Sequence, residues 1–452
     1  MKLSNDLGKD SILSLVFKLA IPAMLSQLVN LLYSIVDRMY IGNIPEIGAI
    51  ALAGVGVCGP IVTFLASFGT LIGLGGSINM SIQMGAKNDE KAKQILANSF
   101  LALSIVGIVL TIIFLLLKDS LIMLFGASEI SFPYANTYLT IYTLGSFFAI
   151  MAIGLNFFIT CQGFAMIGMF TVIIGAITNI VLDTIFIFVL NMGVAGAAWA
   201  TVIAQFLSFL FAFLFLRSKK IPIPITFGNY SKKIMVDIIT FGFSPFFILA
   251  TDSFILIILN MMLQRYGGAI EGDLLISSAT IIQSYLLLIT GPLIGLTGGT
   301  QPILSYNYGA RKIHRVRRAE KYIVIFALCL TSTMFFSTSF LAPYFIRFFT
   351  ENIPLSEVSL WGIKVSVLAV IPLSFQYCFV DGFTAVGRIK TAFSLSVFRK
   401  FIYMVSTYLL PLFFTARFAF YAQPVADLMG SIVSTTIFYF IFNKHLKRRI
   451  LK

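Results

Sequence analysis

Twelve apolar stretches, each longer than the eighteen or so residues that cross a bilayer, run through these 452 residues and constrain the fold more than any motif does. They lie near 15–42, 49–82, 95–117, 135–159, 168–190, 194–216, 236–263, 274–304, 322–344, 362–382, 391–414 and 418–442. Most are apolar all round, whereas the helices of a soluble chain need a polar face. With 58% hydrophobic and only 11% charged residues, the chain is not a soluble protein of two or three domains. It is predicted to be an all-α integral membrane protein with twelve transmembrane helices.

The formal charge of +14 does not point to nucleic acid, because the basic residues fall in short clusters between spans. Lys87, Lys91 and Lys93, the run from Arg217 to Lys233, the run from Arg311 to Lys321, and the tail from Lys444 all lie on one side if both termini are cytoplasmic. The positive-inside bias therefore predicts cytoplasmic termini. Cys58, Cys161, Cys329 and Cys378 sit in or at the edges of spans without a C-x-x-C pair, as small hydrophobes do. His314 and His445 fall in basic segments, so no histidine-ligated metal is expected within the membrane. The N-terminus has no small-residue cleavage site after a short apolar core, and the first span is expected to be retained.

The spans form two sets of six. Pro22 precedes Asp37 by fifteen residues, as Pro245 precedes Asn260. "GTLIG" at 69–73 answers "GPLIG" at 291–295, "MGAK" at 84–87 answers "YGAR" at 308–311, and Gly163/Gly168 answer Gly382/Gly387. The offsets of 223, 222, 224 and 219 stay nearly constant, which is the signature of an internal repeat. Six spans per copy put both copies in the same orientation, related by an axis along the membrane normal. The expected domains are a first bundle at 1–216, a cytoplasmic linker at 217–233 and a second bundle at 234–452. Two such bundles enclose a cleft suited to alternating access.

Several motifs are decoys. "GVGVCG" at 54–59 fits a dinucleotide-binding glycine pattern but lies in a membrane span with no acid between residues 60 and 88. "NYS" at 229–231 is a glycosylation pattern on the cytoplasmic side. No phosphate-binding loop, zinc-protease motif or serine triad is present, so neither ATP-driven transport by this chain alone nor an enzyme is expected.

Ionisable residues inside spans are costly and therefore functional candidates. Asp183 lies about seven residues before the tight turn at 191–196, and Thr201 about seven past the start of the next span. At 1.5 Å per residue both fall ~10 Å from the outer end of that hairpin. Asn179 shares a face with Asp183, and Asp37 belongs to the same outer half of the bilayer. Two carboxylates, an amide and a hydroxyl thus converge. Two close carboxyl groups in a low-dielectric interior do not both stay ionised and would hold a proton. The same oxygens, with the carbonyl near Ala197, could instead hold dehydrated Na⁺. A hydrogen-bonded cluster that only fixes helix register is the bland alternative. For Asp37, a surface pair with Arg38 is another.

This cage is not repeated, since Asn260 stands opposite Asp37 and Ile402 opposite Asp183. The second bundle is freer to contact substrate. Asp252 and Asn260, eight residues apart, are candidates for the cleft, together with Gln283 and Tyr33. A single acid among aromatic residues suits cationic ligands, although Asp252 could equally pair with another span. Asp381 is expected to be structural, Asp427 is open, and Arg399 and Lys400 are expected to snorkel to the cytoplasmic face.

At these residues the chain resembles the multidrug and toxic compound extrusion (MATE) family, most closely its MepA-like bacterial branch. The resemblance rests on "LAIPAMLSQLVNLLYSIVDRMYIGN" at 19–43, "INMSIQMGAKNDEKA" at 78–92, "ITNIVLDTIFIF" at 177–188, "GAAWATVIAQ" at 196–205 and "QPILSYNYGAR" at 301–311. It implies a V-shaped pair of six-helix bundles in a bacterial plasma membrane, exporting amphipathic, mostly cationic drugs in exchange for H⁺ or Na⁺ with no other cofactor. It implies coupling roles for Asp37, Asn179, Asp183 and Thr201, and a bend of the first span at Pro22. Pro245 is the corresponding hinge in the second bundle, since proline removes a helix hydrogen bond. The expected partners are small-molecule drugs and membrane lipids, and the expected state is a monomer. A flippase of lipid-linked oligosaccharides from the same wider superfamily is the competing reading. It would favour cationic residues along the cleft and often extra spans.

Overall fold

The computed structural model describes residues 6–125, 127, 129–349 and 353–450. Among them every regular element is helical. Hydrocarbon offers the backbone no hydrogen-bond partner, and a helix satisfies its own. The first six expected spans form α1 (Ile12–Gly42), α2 (Gly48–Gly85), α3 (Asp89–Leu124), α4 (Phe132–Thr160), α5 (Ala165–Asp183) and α6 (Gly193–Leu216). α5 does not end at Asp183 but relaxes into a π-helical turn, Thr184–Val189. The expected tight turn follows, with Asn191 and Gly193 in the left-handed region at φ 52° and 55°.

The seventh and eighth spans run together as α7 (Lys232–Gly309), broken at Gly268 with φ 69° and ψ −167°. That conformation is open essentially to glycine alone. α8 is Ile313–Arg347. The tenth span is a bent pair, α9 (Ile353–Ser366) and α10 (Val370–Ala385), which meet at 51°. Pro372 in the first turn of α10 explains the break, because its ring clashes with the carbonyl four residues earlier, at Leu368. α11 (Ile389–Phe413) follows, then a 3₁₀ turn at Ala416–Tyr421 and α12 (Ala422–Ile437). A π-helical turn at Phe438–Phe442 leads to the short α13 (Asn443–Ile450). Among the described residues ten helices are long and apolar enough to cross a membrane, and eleven when the bent pair counts as one span. α11, which carries Arg399 and Lys400 in its middle, is the less apolar twelfth.

The helices divide into two compact units. Met1–Asp10 and Leu25–Leu249 form unit 1, and Ser11–Met24 and Ala250–Lys452 form unit 2. α1 and α7 therefore each begin in one unit and continue in the other. Pro22 lies two residues before Met24, and Pro245 four residues before Leu249, where these divisions fall.

Within unit 1, α4 is central and packs against α2, α3, α5 and α6, burying Leu139, Ile150, Leu155 and Phe158. Small residues bring helices close where lipid supplies no hydrophobic drive for association. A Cβ on Gly73 of the 69–73 motif would stand 2.6 Å from the Gly154 Cα on α4. One on Gly242 would overlap the Leu71 carbonyl oxygen. The linker is fastened to unit 1 by two buried amides. Gln162 accepts from the Ile223 N–H at 2.8 Å and donates to its carbonyl at 3.1 Å, and Asn98 Oδ1 accepts from the Ser231 N–H at 2.8 Å. Within unit 2, α10 takes the central place against α8, α11 and α12.

Candidate functional site

Four helices of unit 1 build a polar pocket from residues that an apolar core would exclude. α1 presents Asp37, α5 ends on Asn179 and Asp183, α6 carries Ala197 and Thr201, and α4 supplies tyrosines from the far side. Asn179, Asp183 and Ala197 are fully buried, and Asp37 and Thr201 nearly so. The depth argument sets Thr201 level with Asp183, and the hydrogen bond forms one turn deeper, where Asn179 Nδ2 donates to Thr201 Oγ1 at 3.2 Å. Asp37 and Asp183 lie close enough for their carboxyl groups to share a hydrogen bond. Arg38 is exposed and forms no ion pair with Asp37 among the described residues, so the surface-pair alternative for Asp37 does not hold.

What these groups lack is as informative as what they have. Both carboxyl oxygens of Asp183, Oδ1 of Asp37 and Oδ1 of Asn179 are buried with no protein donor. A buried acceptor without a partner costs ~1–3 kcal/mol, and more when charged. Four such oxygens in one place form an acceptor-rich site, and its chemistry is the uptake of a proton or a small hard cation. No group of three or more histidine, cysteine or acidic residues is arranged to hold a metal ion among the described residues.

Tyr138 and Tyr142 were not anticipated, and Tyr33 was expected in the substrate cleft rather than beside the acids. Tyr33, one turn before Asp37 on α1, reaches Thr201 with its hydroxyl and so stands beside the acids in unit 1. On α4, Tyr138 and Tyr142 stack at 6.1 Å, and Gln205 Nε2 donates to the Tyr142 hydroxyl at 3.4 Å. Tyr138 lies within electrostatic reach of Asp37. The available signal was the spacing of four between two phenols inside an otherwise apolar span. The π-helical turn begins directly after Asp183, and Thr184 Oγ1 donates to the Ile180 carbonyl at 3.0 Å within it. Such turns recur at functional positions because they re-aim side chains within a helix.

Unit 2 shows the paired alternative for Asp252 and corrects one expectation. Asp252 is not a single acid, because Lys400 pairs with it. Arg399 and Lys400 do not snorkel out of the fold. Arg399 Nη1 binds Asp427 Oδ1 at 2.6 Å, with Gln423 Nε2 on the other carboxyl oxygen at 2.8 Å. The reason is tertiary, since α11 packs on α12 and brings Arg399 against the buried Asp427, while Lys400 meets Asp252 of α7. Gln283 Nε2 donates to the Tyr403 hydroxyl at 3.4 Å, and Asn260 is half-buried on α7. Pro22 lies inside α1 and Pro245 inside α7.

With this geometry in place, comparison with known proteins is consistent across the chain. The sequence matches the MatE family twice, over residues 22–185 and again over 246–409, the two copies found from the internal repeat. It is similar to the multidrug export protein MepA of Staphylococcus saprophyticus, with 23% identity covering 96% of this chain and 95% of that one. The MepA protein of Staphylococcus haemolyticus is 24% identical over the same shares. Among solved structures, an outward-facing multidrug resistance MATE family transporter of the MOP superfamily superposes with a TM-score of 0.90 at 22% identity, over 98% of both chains. A MOP superfamily transporter from Pyrococcus furiosus, described as having a binding pocket of reversed polarity, gives the same values.

Proposed function

This chain belongs to the MatE family, a family of transporters rather than enzymes, and from that premise we propose that it exports amphipathic, mostly cationic small molecules by antiport with H⁺ or Na⁺ through alternating access. The observation that carries the coupling reading is the set of unpartnered oxygens on Asp37, Asp183 and Asn179. In a low-dielectric interior two adjacent carboxylates repel strongly, so the pair is stable when it holds one positive charge and strained when it does not. Loading and release therefore change the energy of the α1–α5 pairing by an amount the rest of the fold can feel. A monovalent ion moving down 100 mV supplies ~2.3 kcal/mol, and its concentration gradient adds to that.

Pro22 and Pro245 give this energy a place to act. Each removes one backbone hydrogen bond shortly before its helix passes from one compact unit to the other. Bending there is the hinge motion proposed for α1 and, by the repeat, for α7. The relatives carry the name multidrug export, and the substrate class proposed here follows them. In unit 2, Asp252 is the more exposed member of its pair, with 51% of its side chain accessible against 10% for Lys400, and a cationic solute would compete with the Lys400 ammonium for it.

The test is export of ethidium by proteoliposomes under an imposed pH gradient and, separately, an imposed Na⁺ gradient. One of the two gradients is expected to drive export and thereby to identify the ion. Export driven by neither would overturn the antiport reading.

A further inference from the structure

A second pair of acids, one buried and one half-buried, lies in unit 2, outside the site described above. Glu320 on α8 is 4% exposed, and both of its carboxyl oxygens are buried without a protein partner. It rests against α10 at Gly382, where a Cβ would stand 2.8 Å from Oε1 and 3.0 Å from Oε2. Glycine makes the room that the carboxylate occupies. Asp381, the residue before Gly382, is close enough for the two acids to act on each other. From α7, Thr297 and Gln301 neighbour Asp381, and both are 2% exposed. The Oε1 of Gln301 is itself buried and unpartnered. Cys378 and Tyr377, about one turn earlier on α10, are further titratable groups within electrostatic reach, Cys378 of both acids and Tyr377 of Asp381. Neither acid belongs to an ion pair among the described residues.

The repeat shows that this chemistry is particular to unit 2. The offset that places Gly382 on Gly163 places Asp381 on Gln162, a neutral amide whose groups are taken up by the Ile223 backbone. A position that only fastens chain needs no charge. A buried carboxylate beside a second, half-buried one without a counter-charge is unfavourable, and the unpaired amide oxygen adds a further acceptor rather than a donor. The donor set is dominated by oxygen from two carboxyls, a hydroxyl and an amide, which suits hard cations.

We propose that Glu320, Asp381, Thr297 and Gln301 form a second site for a small hard cation, a proton or Na⁺, in unit 2 and separate from the Asp37–Asp183 pair. Glu320 and Asp381 supply the charge, Thr297 and Gln301 complete the oxygen shell, and Gly382 sets the approach of Glu320 to α10.

The test uses full-length protein in detergent carrying Asp37→Asn and Asp183→Asn, so that the unit 1 acids are silent. Binding of radioactive Na⁺ is measured at fixed pH. Proton uptake is measured between about pH 8 and pH 6, where ordinary carboxylates do not titrate, in protein that also carries His314→Gln and His445→Gln, and is counted above the contribution of the α-amino group. This background is expected to retain saturable uptake of one of the two ions, which identifies the cation. Adding Glu320→Gln, an isosteric and uncharged change, is expected to abolish that uptake in protein that remains monodisperse. Gly382→Ala, which keeps both acids, is expected to weaken it at least ~10-fold by displacing the carboxylate. Absence of either uptake in the background, or uptake that survives Glu320→Gln, would overturn the proposal. Continued gradient-driven export by the same background would instead count against the unit 1 coupling reading.

Discussion

Buried charge in this protein is handled in two opposite ways, and the contrast separates structural residues from working ones. Arg399 and Asp427 satisfy each other at 2.6 Å, Gln423 takes the second carboxyl oxygen, and the guanidinium lies 5.6 Å over the Tyr377 ring. Asp37 and Asp183 have no cationic partner at all among the described residues. Removing one member of a satisfied buried pair leaves the other uncompensated. Arg399→Gln is therefore expected to cost ~3–5 kcal/mol, read as a lower thermal midpoint in detergent, and Arg399→Gln with Asp427→Asn to recover much of it. Equal losses in the single and double variants would show that the pair is not coupled. The Arg399–Asp427 pairing could not be read from the sequence, because it spans 28 residues and depends on how α11 meets α12. The neighbourhood of Asn179, Asp183 and Thr201 was legible, because the short turn set the depth of Asp183 and Thr201 and helix periodicity set the face of Asn179, although the turn count alone pointed to Asp183 rather than Asn179 as the partner of Thr201.

At the scale of elements, close approach of backbones rather than apolar bulk sets the packing of unit 1. Gly242 on α7 and Gly75 on α2 face each other's helices, and a Cβ on either would overlap a carbonyl oxygen, of Leu71 or Ile238. Gly242→Ala is expected to destabilise by ~1–3 kcal/mol through overpacking. Gly56→Ala, with nothing within 4 Å of the new methyl, is expected to leave the thermal midpoint unchanged or raise it slightly. A neutral Gly242→Ala would mean that the helices have room to part. Span positions were legible to within a few residues in most helices because the apolar runs are long and their ends carry polar or basic residues. The break between α9 and α10 was not, although Pro372 stood in view, because the residues on both sides of it are apolar and hydropathy does not register a bend. The π-helical turn after Asp183 left no sequence mark, since the Thr184–Val189 segment is apolar apart from its first residue.

At the scale of the whole molecule, the repeat and the charge asymmetry are the two features that organise function. The MatE matches at 22–185 and 246–409 are offset by 224 residues, beside the 219 to 224 of the short motifs, so the duplication was legible from four small matches in order. The basic clusters predict that the 217–231 segment faces the cytoplasm. A Lys219→Cys variant in a Cys329→Ser background is expected to react with a membrane-impermeant thiol reagent in inside-out vesicles and not in intact cells. Labelling in intact cells would reverse the orientation.

The duplication did not copy the acids of unit 1, so coupling should fail when that one pair is altered even though the second half is intact. The most direct measurement is ethidium transport by Asp183→Asn in proteoliposomes, comparing exchange at equal concentrations with accumulation under the driving ion gradient. The variant is expected to bind and exchange ethidium as the unaltered protein does, yet to lose accumulation against a concentration gradient. Gradient-driven accumulation at the unaltered level would contradict the assignment of Asp183 to ion coupling.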